Sequence, residues 1–178
     1  MTHSRTSLQT ATAISIVTLA LLAGCSTDGG APSDAPRGDT TSSSTTNESG
    51  ANMPQVSGAG NEAPAISAPT GNPPSELVTE DVISGTGVAA VSDSTLTVHY
   101  TLMAWSTGEI IESSWAGEPA TFGLNQVITG WQQGIPGMKE GGRRLLVIPP
   151  SLGYGEAGGG PIGPNETLIF VVDLIKVN

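Results

Sequence analysis

The large aliphatic residues of this chain are not spread evenly along it. Beyond an apolar run near the N terminus, Val, Ile and Leu are concentrated between Ser75 and Asn178, whereas residues 26–74 are built from Ser, Thr, Gly, Pro, Ala and Asn. That segregation limits what can fold. A segment almost without large apolar side chains cannot bury enough surface to offset the entropy of ordering it. Residues 25–74 are therefore expected to be a disordered linker, and 75–178 the one folded domain. As a flexible coil of about 49 residues, the linker spans roughly 35–42 Å root-mean-square.

Charge and residue chemistry narrow the function. Six Lys and Arg stand against 16 Asp and Glu, for a net charge of −10. A nucleic-acid partner would call for a basic face, so none is expected. One cysteine, Cys25, excludes an internal disulfide and any cysteine-rich metal site. His3 and His99 lie far apart in the chain, so neither a metal nor a cofactor is expected.

Residues 1–24 read as an export signal. A short polar start carries Arg5 and no acid, and Ala11 to Gly24 is apolar and uncharged. Its length suits a signal-peptide core and is short for a membrane span. It ends in "LAGC", Leu22 to Cys25. The ending resembles the lipobox of bacterial lipoproteins. That resemblance implies diacylglyceryl attachment at the Cys25 thiol, cleavage just before it, and an anchor on the extracytoplasmic face of the cell membrane. Two or three acyl chains, at roughly 0.8 kcal/mol per buried methylene, hold such a chain stably.

Within the domain, Thr95 to Trp105 alternates. Leu96, Val98, Tyr100 and Leu102 share one face, and Thr97, His99 and Thr101 share the other. Tyr100 is thus expected to face a core and His99 to lie on the surface. A "STGE" turn and a returning strand, "IIESSW", follow. "RRLLVIPP" is a strand stopped by its prolines. "TLIFVVDLIKV", Thr167 to Val177, is apolar on both faces and reads as a central strand covered on both sides. "ELVTEDVISGTG" supplies a first strand. "QVITGWQQGIPGM", Gln126 to Met138, places Val127, Ile128, Trp131, Ile135 and Met138 at helical spacing among residues poor in helices. The sum is an α+β fold, an antiparallel sheet of about five strands wrapped on one short helix. The glycine-rich stretch Ser151 to Glu166 is a long loop of the kind that carries function, and Tyr154 within it is placed as a lip over a cavity.

"VHYT" at 98–101, "QVITGWQQGIPGM" at 126–138, "GYG" at 153–155 and "PNETLIFVVDLIKV" at 164–177 together resemble the FKBP-type peptidyl-prolyl cis–trans isomerases. The resemblance covers 75–178. It implies a curled sheet packed on the short helix, with Trp131 as the floor of an apolar pocket. It also implies isomerisation of Xaa–Pro bonds in exported proteins, and binding of macrolides of the FK506 and rapamycin class. Residue by residue, it assigns a catalytic part to Tyr100, Glu112, Ile128, Trp131 and Tyr154. It assigns substrate binding to Ile111, Phe122, Val127, Ile162 and Phe170.

The chain departs from the family pattern at several points. The family's usual Phe-Asp in the returning strand is Ile111-Glu112 here, and an aromatic position two residues before Phe122 is Ala120. Gly163 replaces a proline, and the stretch between Phe122 and Trp131 is shorter than usual. A wider, less aromatic box follows. The alternative these changes favour is a module of the same fold that binds proline segments, as a chaperone would, with little catalysis.

Overall fold

The computed structural model describes residues 53–178. Cys25, the segment read as an export signal and residues 26–52 lie outside the described residues. Among those described, no helix is long and apolar enough to cross a membrane.

Among the described residues, eight strands and one α-helix form in the order β1 Val56–Ser57, β2 Ala65–Ile66, β3 Val78–Ile83, β4 Thr95–Ala104, β5 Ile110–Ser113, β6 Ala120–Gly123, α1 Thr129–Gly134, β7 Arg143–Ile148 and β8 Leu168–Val177. Strands β3 to β8 make one antiparallel sheet ordered β3-β7-β8-β4-β5, with β6 also paired to β4. Strand β4 is long enough to hold both β6, against Thr95–Val98, and β5, against Thr101–Met103. The sheet thus has one strand more than the sequence pattern showed. Strand β6 is four residues long and carries one large apolar side chain, Phe122, too little for a periodicity to register.

The alternation along β4 and β8 divides the core in two. On the helix side, Leu96, Val98 and Leu102 of β4 meet Leu168, Phe170, Val172 and Leu174 of β8, with Leu146 and Ile148 of β7 and Trp131 and Ile135 beneath. On the other side, Met103, Trp105, Leu145, Val147, Ile169 and Val171 form a second buried cluster. Strand β8 is central and covered on both faces. Its register with β4 runs from Leu96↔Val177 to Ala104↔Leu168.

The second cover comes from residues read as linker. Between Ser26 and Pro74 the large apolar residues are Met53, Val56 and Ile66, and all three pack on the second cluster. Strands β1 and β2 pair as a two-stranded ribbon, and Pro54, Pro64 and Pro74 are buried. The disorder expected for 53–74 is therefore corrected: this segment is an ordered strap. Three apolar side chains suffice because polar bonds fasten it. Arg143 Nη1 and Nη2 donate to the carbonyls of Gly58 (3.1 Å) and Glu62 (2.6 Å). Trp105 Nε1 donates to the Gly71 carbonyl at 3.2 Å.

Arg143 is fully buried, and its Nε also donates to Asp173 Oδ1 at 2.8 Å. Asp173 Oδ2 has no protein partner. Burial pushes the Asp173 carboxyl up further than the Arg143 guanidinium pulls it down. His99 pairs in register with Asp173, stacks on Trp115 with ring centroids 4.2 Å apart, and shares a hydrogen bond with Ser114 Oγ at 3.0 Å. It faces away from the helix as expected. It is half-buried rather than a surface residue, because Trp115 folds over it.

Candidate active site

The helix that carries Trp131 is six residues long. Its glycines account for where it sits. A Cβ on Gly130 would penetrate the Ile148 side chain, and one on Gly134 would penetrate Leu146. Residues that weaken the helix are thus what let it lie directly on β7. The lost propensity, about 1 kcal/mol per glycine, is offset from outside. Arg144 Nη1 donates to the Gly134 carbonyl at 2.8 Å, while its Nε and Nη2 hold both carboxylate oxygens of Asp81 on β3. Gln132 Nε2 donates to the Val127 carbonyl at 2.7 Å and fixes the approach to the helix.

Pressed against the sheet, Trp131 is 3% exposed and ringed by aromatics. Phe122 meets it edge-on at 5.4 Å, Phe170 at 5.3 Å with planes 89° apart, and Tyr100 at 6.0 Å and 84°. These edge-to-face arrangements suit the ring quadrupole and fix all four rings. Above them opens a cavity of about 280 Å³ lined by Tyr100, Leu102, Glu112, Phe122, Gln126, Val127, Ile128, Trp131, Tyr154 and Phe170.

Tyr154 forms one lip. It is 42% exposed, and its ring lies so close to Gly159 that a side chain there would collide with it. The loop holding it closes on itself through Asn165 N to Gly155 O at 3.0 Å, with Asn165 in the left-handed region at φ 54°. Ile128 is the N-cap residue of the helix and takes no side-chain cap. Its N–H is one of the donors that a helix start leaves open. Also in the lining, the Tyr100 hydroxyl donates to Glu112 Oε1 at 2.5 Å. Desolvation first, and then the Glu112 carboxylate, push the Tyr100 phenol up to about 12. It stays protonated across the physiological range, its hydrogen committed to Glu112.

Eight of the ten expected site residues line this cavity. The other two are not among its lining residues. Ile162 is 7% exposed and sits in the core cluster with Trp131; Ile111 is half-buried against the same cluster. Leu102 and Gln126 were missed. Leu102 was legible, since it shares the Tyr100 face two residues on. Gln126 had no signal, because it enters through a 3-10 turn, Leu124–Gln126, that no pattern marks. Ala120 begins β6 beside Val98 and does not line the cavity.

A family profile for FKBP-type peptidyl-prolyl cis–trans isomerases matches residues 87–175. An FK506-binding protein of Streptomyces anulatus is 50% identical over 121 residues, spanning 65% of this chain and 98% of that relative. The chain belongs to the FKBP-type peptidyl-prolyl cis–trans isomerases. A probable FK506-binding protein of Corynebacterium glutamicum is 47% identical over 116 residues, again 65% of this chain and 98% of the relative. The crystal structure of FkpA from Escherichia coli superposes with a TM-score of 0.55 at 42% identity, covering 57% of this chain and 48% of that one. The chain thus spans about half the length of FkpA. Residues 75–178 alone are too few to supply 65% of the 178-residue chain. The likeness to the two bacterial relatives therefore reaches back into the strap. The FKBP fold is the expected α+β sheet on one short helix, and the activity is that of a peptidyl-prolyl isomerase.

Proposed function

We propose that this isomerase acts on Xaa–Pro bonds of exported proteins while anchored to the membrane through lipidated Cys25. The observation that supports the site is the aromatic cavity floored by Trp131. An Xaa–Pro bond rotates over a barrier of about 18–20 kcal/mol, so uncatalysed exchange takes tens of seconds or more. The barrier is lost amide resonance. In the planar amide the nitrogen lone pair is delocalised onto the carbonyl oxygen. In the twisted amide that charge separation is gone. An apolar cavity disfavours the planar form relative to the twisted one, since the planar form loses more solvation there.

The chain's own residues take these parts. The proline ring stacks on Trp131, with Phe122, Val127 and Phe170 as walls. The Ile128 N–H and the Tyr154 hydroxyl donate to substrate carbonyls on either side of the bond. Tyr100 and Glu112 close the remaining wall. The same aromatic box suits macrolides of the FK506 and rapamycin class.

The test is cis–trans exchange of a short Xaa–Pro peptide, followed by NMR with the protein in catalytic amount. One neutral hydrogen bond is worth about 0.5–1.5 kcal/mol, so Tyr154→Phe is expected to lower kcat/KM by about two- to thirteenfold. Adding Trp131→Leu is expected to remove the remaining acceleration. Wild-type rates in the double variant would overturn the site. The anchor has its own check: Cys25→Ser should move the protein from the membrane fraction to the soluble fraction. Unchanged membrane association would rule out lipidation at Cys25 as what holds it.

A further inference from the structure

The ten residues that line the cavity include one charged side chain, Glu112, and no cation. Glu112 is exposed. One of its oxygens accepts from Tyr100. Among the described residues the ion pairs are Arg143 with Asp173 and Arg144 with Asp81, neither of them at the cavity. The other two described cations lie elsewhere. Lys139 lines a separate groove with Asp81 and Ser84, and Lys176 sits at the far end of β8 in register with Thr97. Three further acids, Glu109 before β5, Glu118 between β5 and β6 and Glu156 two residues after Tyr154, are exposed. The lining of the cavity therefore carries one negative charge that no lining cation offsets.

We propose that Glu112 sets substrate choice by charge: this isomerase favours Xaa–Pro segments with Lys or Arg beside the proline and disfavours Asp or Glu there. The inference rests on the isomerase reading of the cavity. A Lys or Arg stem is apolar and lies along an apolar wall while its head reaches for the carboxylate. The Tyr100 ring, between Trp131 and Glu112, provides that wall. An acidic residue in the same place meets like charge. At a separation of about 7 Å, one unit pair changes affinity by about threefold at the dielectric of water and by about fiftyfold at an effective dielectric of about 20. The exposure of Glu112 selects the lower figure. Exchanging Lys for Glu acts twice, so the Lys-to-Glu ratio is expected near tenfold.

The experiment uses the full-length chain in detergent and four peptide pairs, with Lys, Gln, Leu or Glu placed directly before or directly after proline. Both kcat/KM and peptide affinity are measured, at about 0.01 M and about 1 M salt, where the Debye length falls from ~30 Å to ~3 Å. The expected result is Lys over Glu by about tenfold at low salt at one flank or both, shrinking at high salt. In Glu112→Gln the ratio should fall within about twofold of unity, whatever the absolute rate. Equal kcat/KM for all peptides, or a Lys preference that survives Glu112→Gln, would overturn the inference while leaving the isomerase reading intact. Charge-ordered binding without acceleration of any peptide would do the reverse.

Discussion

A chain beginning at Ser75 should be about 5 kcal/mol less stable than one beginning at Met53 and should unfold at a much lower urea concentration. Residues 75–178 contain every strand of the main sheet, the helix and all ten cavity residues. What they lack is the cover over Met103, Trp105, Leu145, Val147, Ile169 and Val171, each 7% exposed or less with the strap in place. Fully burying one such side chain is worth about 1.5–3 kcal/mol. The strap does not shield all six completely by itself, yet a loss of about 5 kcal/mol is a conservative expectation. Domains of this size have a total stability of about 5–15 kcal/mol. Truncation also strips two acceptors from a buried guanidinium. Urea denaturation of the two chains, with near-UV circular dichroism as the native signal, makes the comparison. Equal midpoints would show that the strap is an ornament on a self-sufficient domain.

Arg143→Met should cost about 3–5 kcal/mol at neutral pH, the usual penalty for stranding one member of a buried ion pair. Arg143 is the bolt of the second face. Its side chain, fully buried, ties β7 to Asp173 on β8 and to Gly58 and Glu62 on the strap. Without it, Asp173 keeps the desolvation that already raises its pKa and loses the interaction that opposes the rise. The pH dependence follows with a definite sign. A carboxyl whose folded-state pKa lies above its unfolded value favours folding when protonated, and that contribution is lost as pH rises through the folded pKa. The variant should therefore lose stability from acid towards neutral pH more steeply than the parent. The gap between the two should be narrow below the ordinary Asp range near pH 4 and wide at pH 7. A gap that stays constant with pH would show that Asp173 does not carry the penalty. Arg143→Met with Asp173→Leu, which removes both charges, should recover part of the loss.

Much of the site was legible in the sequence because it is local. Tyr100 and Leu102 share a face by simple alternation. Val127, Ile128 and Trp131 come together within one turn of chain, and Tyr154 stands out as a large ring between two glycines. Ile111 and Ile162 pack on the core cluster and do not line the cavity. Their types suit a wall, but whether a side chain reaches the opening depends on the irregular pairing of β5 with β4 and on the Gly159–Ile162 bridge. Neither is encoded in residue spacing.

The alternation of β4, the doubly apolar β8, the weak helix and the family resemblance could all be read from residue order. All of these depend on side chains within a few residues of one another. The cover on the second face came instead from contacts between distant parts of the chain. Residues 53–74 have too few apolar side chains to order themselves, so composition classed them as linker. They are ordered because the sheet presents six apolar side chains and one buried guanidinium with carbonyls to find. That surface exists only once β4, β7 and β8, distant in sequence, have been brought side by side.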